Sequence, residues 1–375
     1  MDMSKPKVPR LHRALVATGP SVLDLKSVAV PRIAPDEVLV RTMAVALNPS
    51  DYKFLDQSTA LGAVLGADFS GIVVRLGGNV HGILDIGDRV LGPAFGANPS
   101  NPGNGAFAQY VTVPARLCVR LPDAVDFAAG ASLPTAIYTV GFVFRSLGIE
   151  LHVNEALGSS TTPPTIRGQD DGEGQQSSRG FVLVHGGATA TGTVALQLLR
   201  AAGYTPLATC SPSNFALVYN RGAAAAFNYA SPTVRDEIRD FTHGKLSLAL
   251  DCIGNPASMV LCYGAIGDGG GRYATLEPYP ARLAARRRDI SPDWILAWTL
   301  FAKELRLPEP YYRPSIPEDR EFGEAWAGSM QRLLEAGLLR PHPLNIYKTG
   351  LSAVIPGLDL LRKHQVRGKK LVVMV

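Results

Sequence analysis

Cysteine is scarce: of 375 residues only Cys118, Cys210, Cys252 and Cys262 are cysteine, and no two form a Cys-x-x-Cys pair. A disulfide framework and a structural zinc site both need closely spaced thiols, so neither is expected. Charge is scarce too, at 18 % of residues with a net charge of +5. The longest basic run is Arg286-Arg287-Arg288, which reads as a short solvated turn and argues against a nucleic-acid surface. The 38 glycines and 28 prolines follow no fixed period, which excludes collagen-like and repeat architectures. The opening Met1-Asp2-Met3-Ser4-Lys5-Pro6 lacks the apolar stretch of a secretory signal. One apolar stretch, residues 127–144, carries no charge and comes close to the ~20 residues a membrane span requires. Gly130, Pro134, Thr135, Thr139 and Gly141 within that stretch fit a buried helix beside a substrate better. A soluble cytosolic protein is expected, with no membrane partner.

What the chain has is apolar material, 46 % of it, enough for two packed domains. The first 125 residues read as β-rich: residues 38–45, 71–74, 89–92 and 107–113 carry strand-like runs between Gly, Pro and Asn turns. Residues 38–45 in particular read as a half-buried strand. From Phe181 onward, short apolar runs alternate with amphipathic stretches near 193–202, 214–221 and 233–242. Such alternation predicts βαβ units and a parallel sheet. Between the two regions, residues 151–180 are rich in Ser, Thr, Gly, Gln and Asp and predict a mobile insertion without chemistry. Residues 369–375 read as a last strand that returns to the N-terminal β domain.

The most informative segment is His185-Gly186-Gly187-Ala188-Thr189-Ala190-Thr191-Gly192, which follows an apolar strand and opens a helix. There a glycine turn sets backbone N–H groups and a helix N-terminus against a dinucleotide pyrophosphate. The usual Gly-x-Gly-x-x-Gly is lacking: Gly187 and Gly192 remain, and Thr189 and Ala190 stand in the middle. An NAD site carries an acid at the end of the second strand. Here that place reads Cys210-Ser211-Pro212-Ser213-Asn214, without one. Hydroxyls and an amide can bond a 2′-phosphate that an acid would repel, so NADPH is the expected cofactor. Ser211 and Asn214 can equally cap the following helix.

The segments Asn48-Pro49-Ser50-Asp51-Tyr52-Lys53, Leu65-Gly66-Ala67-Asp68, Gly87-Asp88-Arg89-Val90 and Gly105-Ala106-Phe107-Ala108-Gln109-Tyr110, together with the cofactor turn, resemble the zinc-free, quinone-oxidoreductase-like branch of the medium-chain dehydrogenase/reductases. The strings Thr209-Cys210-Ser211-Pro212-Ser213-Asn214, Leu250-Asp251-Cys252-Ile253, Asp293-Trp294 and Pro341-His342-Pro343-Leu344 resemble more closely the trans-acting enoyl reductases of fungal polyketide pathways, the lovastatin type. The resemblance covers nearly the whole chain outside 151–180. It implies an α/β fold: a GroES-like β-rich catalytic domain (1–134 and 320–375) and a Rossmann doubly wound cofactor domain (135–319). It also implies a monomer that uses NADPH to saturate an α,β-double bond of an acyl chain on the carrier protein of a partner polyketide synthase.

The same resemblance assigns residues. Ser50, Asp51, Tyr52 and Lys53 match the nicotinamide side of the cleft, and Gly187, Ala188, Thr189, Ala190 and Thr191 the pyrophosphate turn. Ser211, Pro212, Ser213 and Asn214 match the 2′-phosphate turn, and Tyr229 a residue beside the adenosine. Leu276 and Glu277 follow the strand passing the nicotinamide, where the family often has Asn in place of Glu277; Val366 and Arg367 match a late closing loop. Thr139, Val140, Gly141, Phe142, Val143, Phe144, Arg145, Ser146 and Leu147 match one wall of the acyl pocket, and Ile295, Leu296, Ala297, Trp298 and Thr299 the other.

Reduction of a conjugated thioester needs hydrogen-bond donors aimed at the oxygen on which charge develops. Lys53 and Thr139 are the candidate catalytic residues, each with an ordinary alternative: a surface lysine at a turn, and a helix hydroxyl bonded to its own backbone. No metal is expected. The family's zinc branch uses an early Cys and a Gly-His-Glu, where this chain has Asn48-Pro49 and Leu65-Gly66-Ala67-Asp68, so Asp68 reads as a buried, hydrogen-bonded acid. Two further readings stay open: a stand-alone NADPH quinone or enone oxidoreductase, and a cofactor-binding scaffold that assists a synthase. The basic set 286–288 is a solvated loop or a steering patch for an acidic carrier domain.

Overall fold

The computed structural model describes residues 7–57, 60–158 and 178–375. In chain order the strands are β1 (Leu11–Gly19), β2 (Val22–Ala29), β3 (Glu37–Ala46), β4 (Asp68–Leu76), β5 (Arg89–Pro93), β6 (Tyr110–Pro114) and β7 (Val119–Arg120). Then follow β8 (Phe181–His185), β9 (Thr205–Cys210), β10 (Ala225–Asn228), β11 (Leu248–Asp251), β12 (Gly271–Thr275), β13 (Ile290–Trp294), β14 (Leu344–Tyr347) and β15 (Lys370–Met374). The helices are α1 (Pro49–Asp56), α2 (Phe127–Ala131), α3 (Pro134–Leu147), α4 (Val153–Gly158), α5 (Ala190–Ala201) and α6 (Phe215–Asn220). The last five are α7 (Val234–Thr242), α8 (Pro256–Ala265), α9 (Ala281–Ala284), α10 (Pro317–Glu335) and α11 (Val354–Arg362).

Two compact units emerge: 1–138 with 297–331 and 341–375, and 139–296 with 332–340. The first unit reclaims the chain at Ala297, not at residue 320 as the sequence suggests. The reason is aromatic: Trp298 lies on Phe95, with Phe301 beside the same ring. Residues 332–340 rejoin the second unit, where Gln197 brackets Arg340, accepting from its N–H at 2.8 Å and donating to its carbonyl at 3.0 Å.

In the first unit a seven-stranded sheet runs β14-β15-β3-β4-β5-β7, with β6 also on β3. The central β3 is antiparallel to β15, β4 and β6. Its side chains are buried on both faces over most of its length, so it is not the half-buried strand its sequence suggests. Neighbours on both sides and α2 laid across it leave little of it in water; Ala44 and Ala46 pack on Ala128, Ala131 and Val372. β15 confirms the returning last strand. The β1–β2 hairpin forms a separate two-stranded sheet.

In the second unit six strands run β10-β9-β8-β11-β12-β13, every pair parallel. The order reverses between β8 and β11, the switch point at which open parallel sheets bind ligands beyond their strand C-termini. Leu183, Leu207, Ala249, Ile238, Met259 and Tyr273 share its core.

One sequence expectation is borne out and one changes. The stretch Phe127–Leu147 is apolar and long enough to cross a membrane, yet 83 % of its most apolar 18-residue window is buried within the protein. It is also divided between α2 and α3. Residues 153–158 of the expected insertion form α4, because Val153 and Ala156, spaced by three, bury one face. Residues 159–177 of that insertion lie outside the described residues.

Candidate active site

In the second unit, β8 ends at His185 and the chain turns through Gly186, whose φ of +75° lies in the left-handed region that favours glycine. A Cβ on Gly187 would stand 2.8 Å from that of Ala208, and one on Gly192 only 2.4 Å from the Gly186 carbonyl oxygen. The turn is therefore glycine-bound at 187 and 192, where the sequence retains glycine. Thr189 is the N-cap of the twelve-residue α5; its Oγ1 accepts from Gly192 N–H at 2.9 Å, and its carbonyl accepts from Thr193 N–H at 2.9 Å. The first amides of a helix have no intrahelical acceptor. Those of Ala190 and Thr191 therefore stand at the positive end of the helix dipole, suited to an anion.

At the end of the neighbouring β9, Pro212–Asn214 form a single 3₁₀ turn before α6. Neither Ser211 nor Asn214 uses its side chain as a helix cap, which answers the capping alternative and leaves hydroxyl and amide to a ligand. Pro212 and Ser213 are exposed. Tyr229, just past β10, is half exposed, and its ring meets that of His185 edge-on at 6.5 Å. Leu276 and Glu277 follow β12 directly, and Glu277 closes over Gly254. A glycine turn followed by helix amides that have no intrahelical acceptor fits the pyrophosphate of a dinucleotide cofactor.

Sequence reasoning passed over two supports of this half. His185 is buried and its Nδ1 lies 2.7 Å from Thr209 Oγ1. Burial holds its imidazole below the usual histidine range, opposed by the Asp251 charge. Asp251, with no exposure, accepts from Ile253 N–H (2.9 Å), Gly254 N–H (3.0 Å), Ser258 Oγ (2.5 Å) and Tyr273 Oη (2.8 Å). It shapes the loop after β11 at the same edge of the sheet.

In the first unit, α1 carries Ser50, Asp51, Tyr52 and Lys53. Asp51 is buried and its Oδ2 accepts from Asn48 N–H at 2.7 Å, closing the start of the helix. Burial is the main reason its carboxyl rises to about 7; Asp68 adds to the rise, while the Asn48 amide and Lys370 oppose it. At the other end of α1, Arg362 pairs with Asp56 at 2.7 Å and lies over the Tyr52 ring at 5.5 Å. Ser50, Tyr52 and Lys53 are partly exposed. Val366 and Arg367 occupy the loop between α11 and β15, Arg367 exposed.

Phe54, next to Lys53, meets Trp298 at 4.6 Å and Tyr311 at 5.6 Å, and Trp298 also stacks on Phe95 at 4.7 Å. Of the expected second wall, Ala297, Trp298 and Thr299 lie in this unit, whereas Ile295 and Leu296 lie in the other. Along α3, Thr139, Val140, Gly141, Phe142, Val143, Phe144 and Leu147 are buried. Arg145 is turned outward onto the Phe142 ring, and Ser146 donates to Asp293 at 2.7 Å.

The places of a zinc-branch Cys and Gly-His-Glu hold a different chemistry. Asp68 is fully buried and hydrogen-bonded to Thr135, Asn48 and Lys370, as its reading as a structural acid requires. Among the described residues, no group of three His, Cys, Asp or Glu side chains stands together.

Residues 34–123 match the alcohol dehydrogenase GroES-like domain. The chain is similar over 378 aligned residues, at 42 % identity and with both chains fully covered, to the trans-enoyl reductase caaB of Aspergillus niger. It is 42 % identical to the trans-enoyl reductase fumoC of Cordyceps fumosorosea, covering 97 % of this chain and 93 % of that one. Among solved structures it resembles an alcohol dehydrogenase superfamily protein from Novosphingobium aromaticivorans (TM-score 0.72, 23 % identity, 97 % and 99 % of the two chains covered), a likeness of fold.

Proposed function

The chain belongs to the trans-enoyl reductase family, and from that membership we propose that it reduces α,β-double bonds of polyketide intermediates with NADPH. It is an oxidoreductase of the medium-chain dehydrogenase/reductase type, working with a nicotinamide cofactor. The acyl chain rides on the carrier protein of a partner polyketide synthase, or of a synthase–peptide synthetase hybrid. The observation that carries the reading is the full-length match to named trans-enoyl reductases.

NADPH as the specific form is supported by the turn at 211–214, with its uncapped Ser211 and Asn214 and no acid. Gly187, Ala188, Thr189, Ala190 and Thr191 would hold the pyrophosphate, Tyr229 the adenosine side, and Leu276, Glu277, Ser50, Tyr52, Val366 and Arg367 the nicotinamide half. Bound NADPH supplies the hydride. Lys53 and Thr139 donate to the thioester oxygen, where each donor contributes ~3–4 kcal/mol by analogy with oxyanion holes. Thr139 to Leu147, and separately Trp298, are each assigned to excluding water from the acyl chain.

A monomer is supported by β13, the outer strand of the parallel sheet. Ile295 N–H donates inward to Thr275, so Ile290, Pro292 and Trp294 face outward by alternation. Ile290 N–H is taken by Arg287, Pro292 has none, and Trp294 N–H is taken by Asp293 Oδ1 at 2.8 Å. The Pro292 carbonyl accepts from Tyr279 Oη. Such an edge offers a second chain little to pair with. Four unpaired cysteines suit the reducing cytosol.

The test is purified protein with NADPH, offered an α,β-unsaturated pantetheine thioester and, separately, a quinone. Oxidation of NADPH by the thioester supports the reading. Turnover of the quinone alone would discard it.

A further inference from the structure

Three side chains far apart in sequence meet at the base of the first unit's sheet. Asp68 opens β4, Lys370 opens β15 and Asn48 precedes α1. Asp68 has no exposure and Lys370 only 7 %. All four acceptor positions of the carboxylate are used. Oδ1 accepts from Thr135 N–H at 2.7 Å and from Thr135 Oγ1 at 2.6 Å; Oδ2 accepts from Asn48 Nδ2 at 2.9 Å and from Lys370 Nζ at 3.2 Å. Lys370 Nζ also donates to Asn48 Oδ1.

Burying two charges is costly, and well-packed apolar side chains usually stabilise such a place at least as well. What the ion pair adds over an apolar filling is direction. Its partners are the residue that starts α1 and the first turn of α3, and Lys370 also ends the loop holding Val366 and Arg367. Lys53 lies on α1, and Thr139 one turn beyond Thr135 on α3.

We propose that Asp68 and Lys370 are positioning residues for the reduction: their buried pair sets the starts of α1 and α3 through Asn48 and Thr135, and so aims Lys53 and Thr139. The inference rests on the functional reading only in giving Lys53 and Thr139 their tasks.

The test uses the full chain, wild type and with Lys370→Met, Asp68→Asn, or both. Without cofactor, hydrogen exchange in peptides covering 47–57 and 134–146 should quicken at least tenfold in Lys370→Met, with peptides across 181–201 unchanged. With NADPH and the unsaturated pantetheine thioester, kcat should fall at least thirtyfold. Adding Lys53→Met to Lys370→Met should then cost less than threefold more, although Lys53→Met alone costs at least thirtyfold. Should Lys370→Met fail to fold, the double variant, which removes both charges, decides. A restored melting temperature with kcat still low supports positioning, whereas recovery of both overturns it. Unchanged exchange at α1 and α3, or a full Lys53→Met penalty in both backgrounds, overturns it as well. A wild-type protein that leaves the thioester untouched sinks the functional reading instead, and the exchange pattern still decides this one.

Discussion

The backbone N–H of Asn48 donates to the buried carboxylate of Asp51 at 2.7 Å, so the acid three residues into the segment closes the start of its own helix. Burial lifts that carboxyl from its ordinary value to about 7. Between about pH 4 and pH 7 the folded chain therefore keeps a proton that the unfolded chain has released. Stability must fall as pH rises through that window, by at most ~1.4 kcal/mol per pH unit, and level off above it. Asp51→Asn removes this dependence. Urea midpoints of the two proteins, compared along the pH scale, should shift in the variant's favour up to about pH 7. His12 and His185 titrate in both proteins and cancel in the difference. A constant difference would mean that Asp51 is ionised throughout.

Ser211 and Asn214 leave their side chains uncapped beside the exposed Ser213. Ser211→Asp puts a carboxylate where a 2′-phosphate is proposed to bind. Its repulsion should weaken NADPH at least tenfold, ~1.4 kcal/mol, and change NADH binding little. Calorimetric titration with both nucleotides reads the ratio. Equal weakening of the two would place the 2′-phosphate elsewhere.

The parallel sheet was legible because its strands are short apolar runs separated by amphipathic helices, a pattern that follows from covering both faces. The glycine turn was legible for the same local reason: residues 187 and 192 admit no Cβ. The Asp68–Lys370 pair was not. Its members stand 302 residues apart, and a lysine opening an apolar strand looks like any solvated strand end until the partner strand is known. The unit boundary at Ala297 was hidden likewise, since the Phe95–Trp298 stack that fixes it joins distant segments. Asp51 was placed beside the nicotinamide by resemblance, while its burial and its closing of α1 appear only once the fold is known.

Asp251 gathers two hydroxyls and two amides at the end of β11. Asp251→Ala removes the acceptor of two amides and the Tyr273 hydroxyl, while Ser258 Oγ keeps the Asn255 carbonyl at 2.8 Å, at ~1–3 kcal/mol for each donor that water cannot reach. The melting temperature should drop by about 10 °C or more. Thr189→Ala, which removes one N-cap acceptor, should cost only ~1 kcal/mol. Differential scanning calorimetry orders the two, and a reversed order would contradict the network.

Trp298 joins packing to substrate choice. Its ring lies 4.6 Å from Phe54 and 4.7 Å from Phe95, and such pairs are worth ~0.5–1.5 kcal/mol each beyond burial. Trp298→Ala should therefore destabilise the protein by ~3–5 kcal/mol, as for other large aromatic truncations. If this stack also lines the acyl chain, the same variant loses apolar contact with each added methylene, ~0.8 kcal/mol apiece. kcat/KM for NADPH-dependent reduction should then fall more for a long unsaturated acyl pantetheine than for a short one, by roughly fourfold per contacted methylene. Trp298→Phe, which keeps the stack, should retain most of both. Equal losses for short and long chains would leave Trp298 a packing residue of α1 and remove it from the pocket wall.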